Sequence, residues 1–168
     1  MACSMEREAY YDFSGRTTEV SCDILRLNGA PIRSLDDLRD KRIIVQEGGI
    51  MHDYLLERNL AGEIIPVLEV PDALTQLSMG NADAAILNKM QGLYFIQKYH
   101  MIRVEPAGLN LESRSYGMAV KEGNQDLLFQ LNNGLNILKT TGEYQRIYEK
   151  WFGVYQRANF FEQNALLF

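Results

Sequence analysis

Cysteine, histidine and proline are scarce in this 168-residue sequence, with 2, 2 and 4 residues respectively. Cys3, Cys22, His52 and His100 lie at no metal-ligand spacing, so no metal site is expected. The cysteines read as two separate thiols, with a disulfide as the alternative. His52-Asp53 looks like half of a metal-phosphohydrolase pair, but the further histidines are missing, and His52 reads as a partly exposed helix residue. So few prolines, with apolar residues spread throughout, argue against disorder. No apolar run approaches the ~20 residues of a membrane span. The opening Met1–Arg7 lacks the hydrophobic stretch of a secretory signal. Positive charge is also short: 17 Lys and Arg stand against 22 Asp and Glu, a net charge of -5, which excludes the basic face of a nucleic-acid binder. There is no G-x-S-x-G elbow, P-loop or G-x-G-x-x-G fingerprint. Asp36, Asp37 and Asp40 read as a solvated face, and no carboxylate pair or nucleophile–base pair stands out. Neither catalysis nor a cofactor is expected.

What is present alternates between strand and helix. Thr18–Leu27 reads as extended, ending at the turn Asn28-Gly29-Ala30-Pro31. Ser34, with Asp37 three positions on, predicts a capped helix over Leu35–Asp40. The β-branched run Arg42–Gln46 predicts a buried strand, and Gly48-Gly49 leads into a helix over Ile50–Asn59. Ile64–Leu68 is a strand whose Pro66 suits an edge or an end. Pro71 opens a helix over Asp72–Met79, closed by Gly80. Further strands are expected at Asp83–Leu87, Met101–Val104 and Tyr116–Val120, with a helix over Asn88–Tyr99 between the first two. The spacing of Leu127, Leu131, Leu135 and Leu138 predicts a core stripe on a helix over Gln125–Lys139. A last helix is expected over Glu143–Phe152, followed by the weakly patterned Gly153–Phe168. The strands within Arg42–Val104 suggest one α/β layer around a mostly parallel sheet. Segments Thr18–Asp23 and Asn110–Tyr116 would then join it to a second body, with a ligand cleft between the two.

The best chemical signal is Gln46-Glu47-Gly48-Gly49-Ile50-Met51, a strand running through two glycines into a helix. Unpaired N–H groups and the helix dipole favour an anion there, and glycine lets a ligand approach the backbone. The same pattern also serves as a plain tight connection. Asn88, ending a strand, can hydrogen-bond a ligand beyond the sheet's carboxyl edge or cap the next helix. Arg7 alone reads as a solvated surface charge.

Several blocks together resemble a known family. They are Tyr11-Asp12-Phe13-Ser14, Pro31–Leu38, Lys41–Gly48, Met51–Leu55, Gly80–Ala85, Tyr116–Val120 and Thr141–Gly153. In order and spacing the chain resembles bacterial family 3 solute-binding proteins from roughly Arg7 to Gly153. Within them it most resembles the periplasmic sensor region of two-component histidine kinases. The resemblance implies an α/β, type 2 periplasmic-binding-protein (Venus flytrap) fold, with one complete α/β lobe plus the hinge strands and the C-terminal part of a second, incomplete lobe. Residues 1–23 would be a remnant of lobe 1 with the first hinge strand, and 24–111 the complete lobe 2. Residues 112–153 would be the second hinge strand and C-terminal helices of lobe 1, and 154–168 a tail. Val20, Ser21, Cys22, Ser115 and Tyr116 would form the hinges. An incomplete lobe exposes apolar surface, so a gene fragment or completion by self-association is expected.

The resemblance also assigns a ligand site to Arg7, Gly48, Gly49, Ile50, Met51 and Asn88. Arg7, six residues before Phe13, matches the arginine that pairs with a ligand carboxylate. Ile50 replaces the usual threonine, leaving only its backbone N–H, and Asn88 replaces the usual aspartate that holds an ammonium. The usual proline-tyrosine after the D-F-S block is Arg16-Thr17. An anionic ligand without an ammonium suits these departures better than a plain amino acid. The expected function is non-catalytic sensing or solute binding, in a periplasmic or extracytoplasmic setting, within a membrane-anchored parent. The alternatives are an interaction module with an unused cleft and a cyclohexadienyl dehydratase-like enzyme.

Overall fold

The computed structural model describes the backbone of Cys3 and residues 5–164, and the side chains of Cys3 and residues 7–153. The chain forms two compact units. One is Ser21–Ser113, and the other is drawn from the residues before Ser21 and after Ser113.

Ser21–Ser113 is built on a sheet that begins with β2 (Thr18–Leu27), after the short α1 (Met5–Glu8) and β1 (Tyr11–Phe13) of the other unit. Then come β3 (Arg42–Gln46), α2 (Ile50–Arg58), β4 (Glu63–Val67), α3 (Val70–Ser78), β5 (Ala84–Asn88), α4 (Lys89–Lys98) and β6 (Val104–Pro106). The order across the sheet is β4-β3-β5-β2-β6, and β7 (Leu111–Tyr116) also pairs with β2. Neighbours β4, β3 and β5 are parallel, whereas β2 runs antiparallel to both β5 and β6. The strands within Arg42–Val104 thus run in one direction, and β2, lying between β5 and β6, is the reversed strand that makes the sheet mixed. A strand's residues encode its burial, not its direction. β4, with Pro66, is the outer strand of the parallel group.

Period-2 alternation sorts the strand residues onto two faces. Leu25, Ile44, Ala85 and Leu87 pack with Leu74 and Leu77 of α3 and with Phe95 and Ile96 of α4. Ile24, Ile43, Val45 and Ile86 pack with Met51 and Leu55 of α2 and with Leu38. Both faces of β3 and β5 are thus covered, which is why those strands read as unbroken apolar runs. A Cβ on Gly92 would lie 2.7 Å from Leu25 Cδ1, so only glycine lets α4 come this close to β2.

Turn chemistry sets several boundaries. α3 closes through Gly80 at φ +79, with Gly80 N–H donating to Leu77 and Asn81 N–H to Gln76. α4 closes in the same way through His100 at φ 51, with bonds from His100 N–H to Gln97 and from Met101 N–H to Ile96. That closure delays the next strand to Val104–Pro106, not Met101–Val104. The expected helix Leu35–Asp40 is only a 3₁₀ turn, Asp36–Leu38. Ser34 does not cap it. Instead Asp37 Oδ2 accepts from the N–H groups of Arg33 and Ser34 and from Ser34 Oγ, each at 2.9 Å. These donors hold the Asp37 carboxyl below its ordinary range, the Arg33 N–H being the largest cause. Gly80–Ala85 is stapled to β3: Arg42 donates to Asn81 O (2.9 Å) and Gly80 O (3.2 Å), and Asp83 Oδ2 accepts the Arg42 N–H (2.8 Å).

In the other unit, β1 pairs antiparallel with β8 (Ala119–Lys121), beside α5 (Gln125–Thr140) and α6 (Glu143–Asn164). The single strand expected at Tyr116–Val120 is split between β7 and β8, with Met118 between them bonded to Ser14. Met118 N–H donates to Ser14 Oγ (3.0 Å), and Met118 O accepts the Ser14 N–H (2.9 Å). Asp12 Oδ2 accepts from Gly123 N–H (2.8 Å) and Gln125 Nε2 (2.9 Å), fixing the turn into α5. The leucine stripe is not a core stripe here. Leu135 is buried, but Leu127 is 42% and Leu138 37% exposed, so the described residues cover that face only in part. α6 runs on to Asn164, past the end expected at Phe152 and into the weakly patterned segment. Among the described residues no helix is long and apolar enough to cross a membrane.

Candidate functional site

The carboxyl edge of β3 and β5 carries most of the expected site. β3 continues as far as Glu47, whose N–H donates to Val67 O at 2.8 Å. Gly48 then turns the chain at φ +64, and Gly49 N–H closes the turn on Gln46 O at 3.0 Å. A Cβ on Gly49 would lie 2.9 Å from that same oxygen, so both glycines are required by the turn. Gly49 is the N-cap of α2 and no side chain caps the helix, which leaves the first-turn N–H groups of Ile50 and Met51 open. Met51 is buried in the core, so only its backbone can face a ligand. His52 is half-buried, and its Nδ1 accepts the Gly48 N–H at 3.3 Å, a role that sequence reasoning missed.

β3 and β5 are adjacent and parallel, with Val45 opposite Ile86, so the Gly48–Met51 turn and Asn88 share one end of the sheet. Asn88 Oδ1 accepts the Gln91 N–H at 3.1 Å and caps α4. With the oxygen used in this way, the side chain's remaining polar group is its donor NH₂. Arg7 lies on α1, in the other unit. Of the hinge candidates, Ser21 and Cys22 fall in the Ser21–Ser113 unit, and Val20, Ser115 and Tyr116 in the other.

Cys22 stands opposite Asn88 in the β2–β5 ladder. Burial, with help from Glu112 and Asp23, pushes its thiol up to about 11, so it is an unreactive neutral SH at physiological pH. Cys3 and Cys22 are both free thiols. Among the described residues no three His, Cys, Asp or Glu are placed to hold a metal.

Sequence reasoning also missed a buried ion pair beside this edge. Lys89 Nζ lies 3.7 Å from Asp23 Oδ2, and donates to Leu109 O (3.3 Å) and Asn110 Oδ1 (3.2 Å). Asp23 Oδ1 accepts from Ile24 N–H (2.8 Å) and Leu109 N–H (2.9 Å). Burial raises the Asp23 carboxyl above its ordinary value, outweighing the bonds and the Lys89 charge that pull it down. The two residues are 66 positions apart, and no local pattern links them.

Helices on both faces of a mixed sheet, with a glycine turn and helix N-terminus at its carboxyl edge and two strands leading to a second unit, define a ligand-binding α/β architecture. The chain belongs to the bacterial extracellular solute-binding proteins, family 3, whose model matches residues 1–154. Its fold is the type 2 periplasmic-binding-protein fold. It is 26% identical over 152 residues to the L-cystine-binding protein TcyJ of Escherichia coli (strain K12), covering 89% of this chain and 57% of that one. It is 25% identical over 154 residues to the glutamine-binding protein GlnH of Bacillus subtilis (strain 168), covering 90% and 55%. The chain thus spans little more than half the length of these relatives. A histidine kinase sensor domain with similarity to periplasmic binding proteins superimposes with TM-score 0.84 at 32% identity, covering 91% of this chain and 68% of that one. An ancestral arginine-binding protein bound to glutamine gives TM-score 0.83 at 30% identity, covering 91% and 68%.

Proposed function

We propose that this chain is a non-catalytic ligand-binding domain that takes a small carboxylate-bearing ligand, an amino acid or a related anion, for signal transduction. The observation that carries this reading is the chemical uniformity of the β3–β5 edge. The uncapped N–H groups of Ile50 and Met51 and the NH₂ of Asn88 are all donors. Such an edge matches a ligand rich in acceptors, and the α2 dipole favours negative charge there. Arg7 adds a guanidinium suited to a carboxylate. The strand segments Val20–Cys22 and Ser115–Tyr116 are the proposed hinges, whose bending would report occupancy. The relatives' extracellular description and the sensor-domain likeness support a place outside the cytoplasm and a membrane-anchored parent.

The test is calorimetric titration of the chain with dicarboxylates, α-amino acids and amines. Binding of carboxylates, weakened by Asn88→Ala and by Arg7→Ala, supports the reading; binding of amines in preference to carboxylates opposes it. A second reading, an interaction module with an unused site, is favoured by the exposed Phe129, Ile137 and Trp151 on α5 and α6. It predicts that no compound in the panel binds.

A further inference from the structure

The corner where α5 meets α6 holds the segment that enters β2, and it does so through polar bonds. Two successive carbonyls of that segment are taken: Lys139 Nζ donates to Arg16 O at 2.9 Å, and the Tyr144 hydroxyl donates to Thr17 O at 2.6 Å. One residue earlier, Gly15 N–H donates to Asn132 Oδ1 of α5 at 2.7 Å. Thr17 is in turn bonded to the other crossing strand, since its N–H and its Oγ1 both donate to Tyr116 O, at 2.8 and 2.9 Å. Tyr116 is the last residue of β7, and Thr17 immediately precedes β2. A single residue therefore meets both strands that connect the two units, and the Tyr144 hydroxyl ties that residue to α6.

The surrounding chemistry strengthens the tie. Thr141-Gly142 forms the corner, with Gly142 at φ +78, so Lys139 and Tyr144 leave adjacent helix ends toward the same strand. The Lys139 ammonium lies 5.6 Å from the Tyr144 ring centroid, and a cation near a phenol makes its O–H a better donor. Tyr144, Tyr148 and Phe152 recur every fourth residue, with ring centroids 6.1 and 5.1 Å apart, which stiffens the first turns of α6 behind the contact. An open groove of about 260 Å³, lined by Arg16, Thr18, Glu19, Tyr144, Gln145 and Tyr148, runs beside it. Packing alone would be served equally by phenylalanine at position 144. The hydroxyl adds only the bond to Thr17.

We infer that Tyr144 is a coupling residue: its hydroxyl makes α6 move with the paired crossing strands, so that a disturbance at Thr17–Tyr116 reaches the helix. This goes beyond the proposed ligand reading and needs no ligand to be tested.

The test is amide hydrogen exchange by mass spectrometry on the whole chain, following segments 17–20, 113–117 and 143–151, with β3 and β5 as internal controls. Thr17→Val removes the Oγ1 bond to Tyr116 and leaves the Thr17 carbonyl in place. It should speed exchange in 143–151 by roughly 3–10-fold, the effect of about one net hydrogen bond. In the Tyr144→Phe background the same Thr17→Val change should leave 143–151 unaltered, because the link is already cut. Exchange in 143–151 that ignores Thr17→Val, or that responds equally with and without the Tyr144 hydroxyl, overturns the inference. Should Tyr144→Phe disturb β3 or β5, the comparison is repeated with Lys139→Met, which removes the bond to Arg16 and the cation beside the Tyr144 ring but keeps the Tyr144 hydroxyl. The Thr17→Val response in 143–151 should then persist, and its loss overturns the inference.

Discussion

Lys89 and Asp23 bracket one residue between them. The Leu109 N–H goes to Asp23 Oδ1 at 2.9 Å and the Leu109 C=O to Lys89 Nζ at 3.3 Å, while the two charges lie 3.7 Å apart. A buried ion pair thus holds the Leu109 backbone where the chain approaches β7. Asp23 Oδ2 has no hydrogen-bond partner of its own, so the charge attraction of Lys89 joins the two N–H bonds to Oδ1 in partly offsetting the desolvation of the carboxylate.

Removing one partner should therefore hurt more than removing both charges. Lys89→Met leaves a buried carboxylate with its two N–H bonds but no countercharge and should cost about 3 kcal/mol. Asp23→Asn combined with Lys89→Met should recover at least about 1 kcal/mol of that, because neither charge remains. Urea denaturation of the single and double variants measures this, and a double variant no more stable than Lys89→Met would argue against the pair.

The pH dependence of Asp23 has a definite sign. Its carboxyl is raised in the folded protein above the ordinary 3.8, so the folded state holds the proton longer than the unfolded one. Its contribution to stability is fully present below pH 3.8 and is lost as pH rises through the folded value. Asp83 behaves oppositely. The Arg42 hydrogen bond lowers its carboxyl, so its contribution is present above the unfolded value and is lost as pH falls. Stability curves of wild type and Asp23→Asn between pH 3.5 and 7 (about the range that spans both,) should converge toward acid. Parallel curves would contradict the raised carboxyl.

Gly48 and Gly49 should tolerate substitution differently. Alanine at Gly48 meets no atom within 4 Å but must adopt φ +64, costing about 1 kcal/mol with the turn kept. Alanine at Gly49 runs into Gln46 O, so the turn itself must open. Titration with the best ligand of the carboxylate panel should show Gly49→Ala losing more affinity than Gly48→Ala. The reverse order would argue that this turn does not form the ligand surface.

Gly92→Ala should destabilise by about 1–3 kcal/mol, because its Cβ would displace Leu25 between α4 and β2. A melt of that variant matching wild type would show that α4 can shift away from the sheet.

The strands Thr18–Leu27 and Arg42–Gln46 were legible to the residue, because turn residues bound the first and burial on both faces makes the second an unbroken β-branched run. Pro66 correctly marked an outer strand. The reversal of β2 within the sheet was not legible, since pairing direction depends on residues far apart in the chain. The Gly48-Gly49 turn was visible as a motif: it is a tight connection, and the helix it opens has no side-chain cap. Asn88 likewise caps α4 and retains a donor. The Lys89–Asp23 pair and the Tyr144–Thr17 bond left no trace in local pattern, because each joins single polar residues distant in sequence.

The most direct test of the central claim is a thermal melt of the chain with a panel of amino acids, dicarboxylates and amines, for wild type and Asn88→Asp. A ligand at 100 times its dissociation constant should add ~2.7 kcal/mol, a rise of roughly 5–10 °C for a chain of this size. The account predicts that carboxylates raise the wild-type melt, and that Asn88→Asp shifts the response toward ammonium-bearing compounds by restoring a negative charge at the β3–β5 edge. A melt raised by amines alone, or by no compound in the panel, would contradict it.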